Sequence, residues 1–106
     1  MPKYLITADY SPKGVEGVKS KGGSSRRDAV AATVEGLGGK LESFYFGFGS
    51  HDAYVTVDMP DNEAIAAVAL TVNAAGGASM NTTVLLTPEE VDEAAERSVS
   101  YTPPGG

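Results

Sequence analysis

The chain is predicted to fold as an α+β sandwich, a four-stranded antiparallel sheet with helices on one face. Three observations carry this expectation. Four short stretches, residues 3–9, 40–48, 53–58 and 78–86, are rich in β-branched and aromatic residues and suit a pleated, half-buried surface. Helical patterns fall between the first and second stretches and between the third and fourth. The second and third stretches are joined by only a short turn-forming segment, Gly49-Ser50-His51-Asp52. The order βαββαβ is that of a ferredoxin-like domain, with sheet order 4-1-3-2 and right-handed crossovers.

Each element has a local reason. Lys3-Tyr4-Leu5-Ile6-Thr7-Ala8 opens the chain as a strand. Ser11-Pro12 follows as a helix cap with proline at the first helical position, and Val15 and Val18 are expected on its inner side. Gly22-Gly23 interrupts it. Ser25, with Asp28 three residues on, reads as the capping box of a further helical stretch, whose Val30, Val34 and Leu37 share one face at spacing i, i+4, i+7. These two pieces are either one helix broken at the glycines or a loop followed by a helix. Gly38-Gly39 stops the second.

In the central hairpin, Phe44, Phe46 and Phe48 alternate with Ser43, Tyr45 and Gly47, and Ala53, Val55 and Val57 alternate with Tyr54, Thr56 and Asp58. The larger apolar sets are expected beneath the helices, leaving Tyr45, Tyr54 and Thr56 on the open face. Pro60-Asp61 opens the next helix, with Ile65, Val68, Ala69 and Val72 as its buried stripe and Gly76-Gly77 as its stop. Thr87-Pro88-Glu89-Glu90 is a strong helix start after the last strand, and that helix is expected to end near Ser98. Residues 1–98 therefore read as one domain and 99–106 as an extended tail.

Composition narrows the function classes. Fourteen acidic and eight basic residues give a formal net charge of −6 over 106 residues, which disfavours nucleic acid and anionic membranes as partners. There is no cysteine, so disulfides and thiolate chemistry are excluded. No apolar run approaches the ~18 residues of a membrane span. Met1-Pro2-Lys3 leads straight into a strand without a signal-peptide pattern, and a cytoplasmic protein is expected.

The candidate site residues are few. His51, the single histidine, stands beside Asp52, and the pair reads either as an oriented general base or as two turn residues, with Asp52 capping the loop backbone. The cluster Gly22-Gly23-Ser24-Ser25-Arg26-Arg27 places small residues and two cations at a helix start, where Arg26 and Arg27 can hold an anion or remain solvated. Tyr4, Tyr45 and Tyr54 supply phenols that can orient a small ligand or pack across strands. The lone histidine with scattered carboxylates (Asp9, Asp52, Asp58 and Asp61) matches no metal-ligand spacing, so neither metal nor cofactor is expected. Because helices cover one sheet face, the other is expected to meet a second copy of the chain.

The chain resembles the GYD domain family. The resemblance runs through Lys3-Tyr4-Leu5-Ile6-Thr7, Arg26 to Gly39, Phe44-Tyr45-Phe46, Tyr54-Val55, Asp58-Met59-Pro60-Asp61 and Thr83 to Glu90. It implies a ferredoxin-like fold and a dimeric α/β barrel, and it implies no particular reaction. The family's Gly-x-Tyr-Asp pattern reads Gly49-Ser50-His51-Asp52 here, with an imidazole in place of the usual phenol. The residues and the resemblance together lead to a homodimeric small-ligand or protein-binding module. The alternative is a cofactor-independent enzyme of the oxygenase or isomerase kind, acting on a small aromatic or carbonyl compound in a barrel cavity. In it His51 is the base, Tyr45 and Tyr54 orient substrate and Arg26 or Arg27 holds an anionic group.

Overall fold

A computed structural model describes residues 1–106. Its elements are β1 (Lys3–Tyr10), α1 (Pro12–Lys21), α2 (Gly23–Gly36), β2 (Lys40–Phe46), β3 (Ala53–Asp58), α3 (Asn62–Ala75), β4 (Ala78–Leu85) and α4 (Pro88–Glu96). The strands form one antiparallel sheet in the order β2-β3-β1-β4, as the βαββαβ pattern predicts.

Side chains alternate across a strand, and β1 is the strand from which the two faces are most easily read. Tyr4 and Ile6 are buried, and Ala8 and Tyr10 follow on the same face. Val55, Val57, Ala53 and Met80 join them from β3 and β4, and Val34, Ile65 and Val68 close the core from α2 and α3. Burying a side chain of valine size stabilises the fold by about 1.5–3 kcal/mol relative to exposure, so this cluster holds the layers together. Lys3, Leu5, Thr7 and Asp9 point to the other face, which no helix covers.

Of the two alternatives for the first crossover, the structure has the helix broken at the glycines: α1 and α2 are separated only by Gly22, whose φ of 90° is a left-handed conformation suited to glycine. Several other local expectations change. Ser25 lies inside α2 rather than capping it; the helix starts two residues earlier, and Asp28 pairs instead with Arg27 Nε at 3.2 Å. Val15 points outward, and Gly14, Gly17 and Val18 form the inner side of α1. Leu37, at the C-cap of α2, is exposed. Strand β2 ends at Phe46, so Phe48 leaves the core face: its φ is 54° and it lies exposed, stacked on Phe46 with ring centroids 5.7 Å apart. A hydrogen bond from Gly47 N to the Asp52 carbonyl, 2.9 Å, closes this wider hairpin tip.

Met59, in the short connection between β3 and α3, is fully buried. Its seat requires Gly39. A Cβ there would come 2.6 Å from the Asp58 carbonyl oxygen and 2.9 Å from Val34 Cγ1, and would strike Met59 Sδ. The neighbours on two sides are backbone and core, which cannot move aside cheaply.

The C-terminal part differs from the rest. Thr87 and Glu90 form a complete capping box on α4, yet α4 buries no residue. The radius of gyration is 16.8 Å and the long axis 55 Å, against about 13 Å for a compact domain near this length. The α4 helix and the tail therefore project from the body.

Two outcomes follow. Gly39→Ala is expected to lower unfolding free energy by about 1–3 kcal/mol through overpacking, read from urea denaturation. The Thr87 backbone N–H, with the Thr87 side chain assisting, holds the Glu90 carboxyl below its ordinary range. A depressed carboxyl supports its helix fully above the ordinary value and loses that support as pH falls through the lowered one. Backbone amide shifts of residues 87–91 are expected to report loosening of the cap in that acid window, and Glu90→Gln is expected to abolish this transition.

Candidate functional site

The sheet divides the candidate residues into two groups. On the open face, the Ala53–Asp58 strand places Tyr54 opposite Thr7 and Tyr45. Tyr45 is exposed, whereas Tyr54 is half-buried. His51, at the hairpin tip, meets the Tyr54 ring edge-on with centroids 5.8 Å apart. Its Nδ1 lies 3.1 Å from Asp9 Oδ2, so the imidazole is oriented by Asp9 and not by its sequence neighbour Asp52.

Asp52 is occupied by the backbone. Its Oδ2 accepts the Tyr10 N–H at 2.9 Å. Its own N–H is directed to the Ala8 carbonyl at 3.0 Å and to Asp9 Oδ1 at 3.2 Å. Asp52 thus pins the hairpin tip to the end of β1. The opposite end of this face carries Lys3, whose ammonium pairs with Glu42 and, at 3.0 Å, with Asp58. Between the two ends Ser43 and Thr56 hydroxyls meet at 2.5 Å.

On the helix-covered face lies a cavity of about 540 Å³. Its walls are α1 with the start of α2 on one side and Thr71, Val72 and Ala75 of α3 on the other, with Tyr10, Gly77 and Ala78 beneath. Small residues create the space. Gly14 lets α1 approach the Gly77 carbonyl oxygen, which a Cβ would strike, and Ser11 N and Oγ both donate to that same carbonyl, at 3.0 and 3.2 Å. Deeper, between α2, α3 and the sheet, is an apolar chamber of about 100 Å³ reaching Val30, Phe44, Val68 and Met80.

Arg26 lines both spaces. Its guanidinium carbon sits 5.9 Å from the centroid of the Tyr10 ring, within cation–π range. Its Nε is buried and makes no hydrogen bond. A buried donor without a partner carries a desolvation cost of about 1–3 kcal/mol, more when charged, so this atom is suited to receive an acceptor from outside the chain. Lys21 is the other charged residue at the cavity, and no aspartate or glutamate lines it, although acids outnumber bases in the chain.

The remaining candidates are placed as follows. Arg27 points away from the cavity and is exposed beside Asp28. Tyr4 is a core residue, 1% exposed, whose hydroxyl donates to Asn62 Oδ1. Tyr10 takes the cavity-facing place; its alternation with Tyr4, Ile6 and Ala8 is the signal that puts it on this face. No group of three or more histidine, aspartate or glutamate side chains converges as a metal site would require.

These placements separate structure from chemistry at the hairpin tip. Asp52→Ala is expected to cost about 1.5–3 kcal/mol, the range for hydrogen bonds to a charged group. His51→Ala removes a half-exposed pair and is expected to cost about 1 kcal/mol or less. Parallel urea titrations of the two variants measure the difference.

The GYD domain model matches residues 4–95. No curated protein and no solved structure matches the chain. The matched segment runs from β1 into α4 and so takes in the whole sheet, the cavity and the hairpin tip; the chain belongs to the GYD domain family.

Proposed function

We propose that this protein is a homodimeric module that binds a small molecule in the cavity between α2, α3 and the sheet. One observation carries the reading: Arg26 presents a buried, unpartnered Nε where the 540 Å³ cavity meets an apolar chamber. Cavities of this size, mostly apolar with a few convergent polar groups, are the usual form of small-ligand sites.

The open sheet face supports self-association. Leu5, Leu85, Tyr54 and several hydroxyl-bearing side chains lie there without a covering layer, and a two-fold pairing of the same face is the simplest cover. His51, Tyr45 and Tyr54 belong to this face, with the sheet between them and Arg26. A single substrate therefore cannot meet both groups within one chain, which favours a binding module over the enzymatic alternative.

Native mass spectrometry tests both parts. The expected species has twice the chain mass of 10.9 kDa, carries a reproducible small adduct when purified gently, and loses the adduct in Arg26→Gln. A monomer under native conditions would overturn the pairing of open faces, and an adduct indifferent to Arg26 would overturn the cavity.

A further inference from the structure

We infer that the ligand is a monocarboxylate with a compact apolar body, its carboxylate on Arg26 and its body in the inner chamber; this rests on the cavity reading above. Four features converge on that chemistry.

The first is the donor. The Nε edge of a guanidinium offers two parallel N–H groups, a fork that matches the two oxygens of a carboxylate. In this chain the Nε half of that fork is buried and unmatched. The second is charge. Lys21 and Arg26 line the outer cavity with no opposing carboxylate, so an anion meets attraction there despite the net charge of −6.

The third is the wall beyond Arg26. Thirteen of the fifteen residues around the inner chamber are hydrophobic, which leaves little there for a second charge or a polyhydroxylated group to bond. A ligand with charge at both ends would bury one of them unpaired, at high cost. The fourth is size. A chamber of about 100 Å³ is comparable with the roughly 150 Å³ apolar cavity that accepts benzene. It suits a single ring or a short branched chain. The Tyr10 ring completes the site by flanking the guanidinium.

The geometry also gives the ligand an orientation. Tyr10, Arg26, Ala29, Thr33, Val72 and Ala78 line both the outer cavity and the inner chamber, so the two spaces adjoin at Arg26. The carboxylate sits at that junction, with the apolar body inward. The outer cavity, which has Ser25 and Lys21 on its rim, remains accessible to water.

Titration of the ¹⁵N-labelled full chain with sodium benzoate, 4-methylvalerate, benzyl alcohol and inorganic phosphate tests the inference. Benzoate and 4-methylvalerate are expected to shift amides of Arg26, Ala29, Val72 and Ala78 and to bind about 10- to 100-fold more tightly than benzyl alcohol, the range expected for a charge-assisted hydrogen bond. Phosphate is expected to bind more weakly than either acid. Arg26→Gln is expected to remove most of the acids' advantage over benzyl alcohol, and Arg26→Lys, which keeps the charge without the fork, to fall between. Amide dispersion matching that of the parent chain away from the cavity shows that each variant is folded. Benzyl alcohol or phosphate binding at these residues as well as benzoate does would overturn the carboxylate assignment and leave the cavity as a site. Absence of shifts there with every probe would overturn both.

Discussion

The alternation of β1 is the constraint on which the structure depends. This strand pairs with β3 on one side and β4 on the other, so its two rows of side chains sit at the centre of both faces. Tyr4 and Ile6 anchor the core in one row, with Tyr10 at the row's end flooring the cavity. Asp9 in the opposite row orients His51. A shift of one residue in pairing would exchange the rows, exposing Tyr4 and Ile6 and burying Lys3 and Asp9. The core and both candidate groups therefore rest on a single register.

The cavity and the core are products of the same packing. Where the helices carry valine and isoleucine, at Val34, Ile65 and Val68, the layers close. Where they carry glycine, alanine and serine, from Gly14 through Ala29 and again at Ala75, space remains. The division falls along α2, whose Val34 end packs into the core and whose Arg26 end borders the opening. Arg26 is itself only half-buried; its buried Nε lies at the margin of the core, with the guanidinium beside Tyr10.

Much of the fold was legible from local pattern. The valines of β3 and the stripe of α3 lie where their periods of two and of three to four place them, and Thr87-Pro88-Glu89-Glu90 caps α4 as its residue types require. What was not legible depends on contacts outside each element's own pattern. Phe48 continues the alternation of Phe44 and Phe46 on paper, but the hydrogen bond between Gly47 and Asp52 turns the backbone before it. Tyr4 and Tyr10 are both phenols on one strand face, and only the helices above decide that one is core and the other cavity floor. Arg26 and Arg27 are adjacent and chemically identical; the environment that distinguishes them comes from β1 and α3. His51 finds its partner in Asp9, 42 positions earlier, which spacing along the chain does not reveal.

The last strand has a consequence for behaviour in concentrated solution. Strand β4 is an edge of the sheet, and residues 78–87 contain no charged side chain. An edge of that kind offers unpaired amides and carbonyls to any passing strand. The other edge, β2, carries Lys40 and Glu42. Directly after β4, α4 presents Glu89, Glu90, Asp92, Glu93 and Glu96, a dense negative field next to the unprotected edge. That arrangement makes α4 an electrostatic gatekeeper: a second copy of this acidic chain that approaches the end of β4 meets like charge.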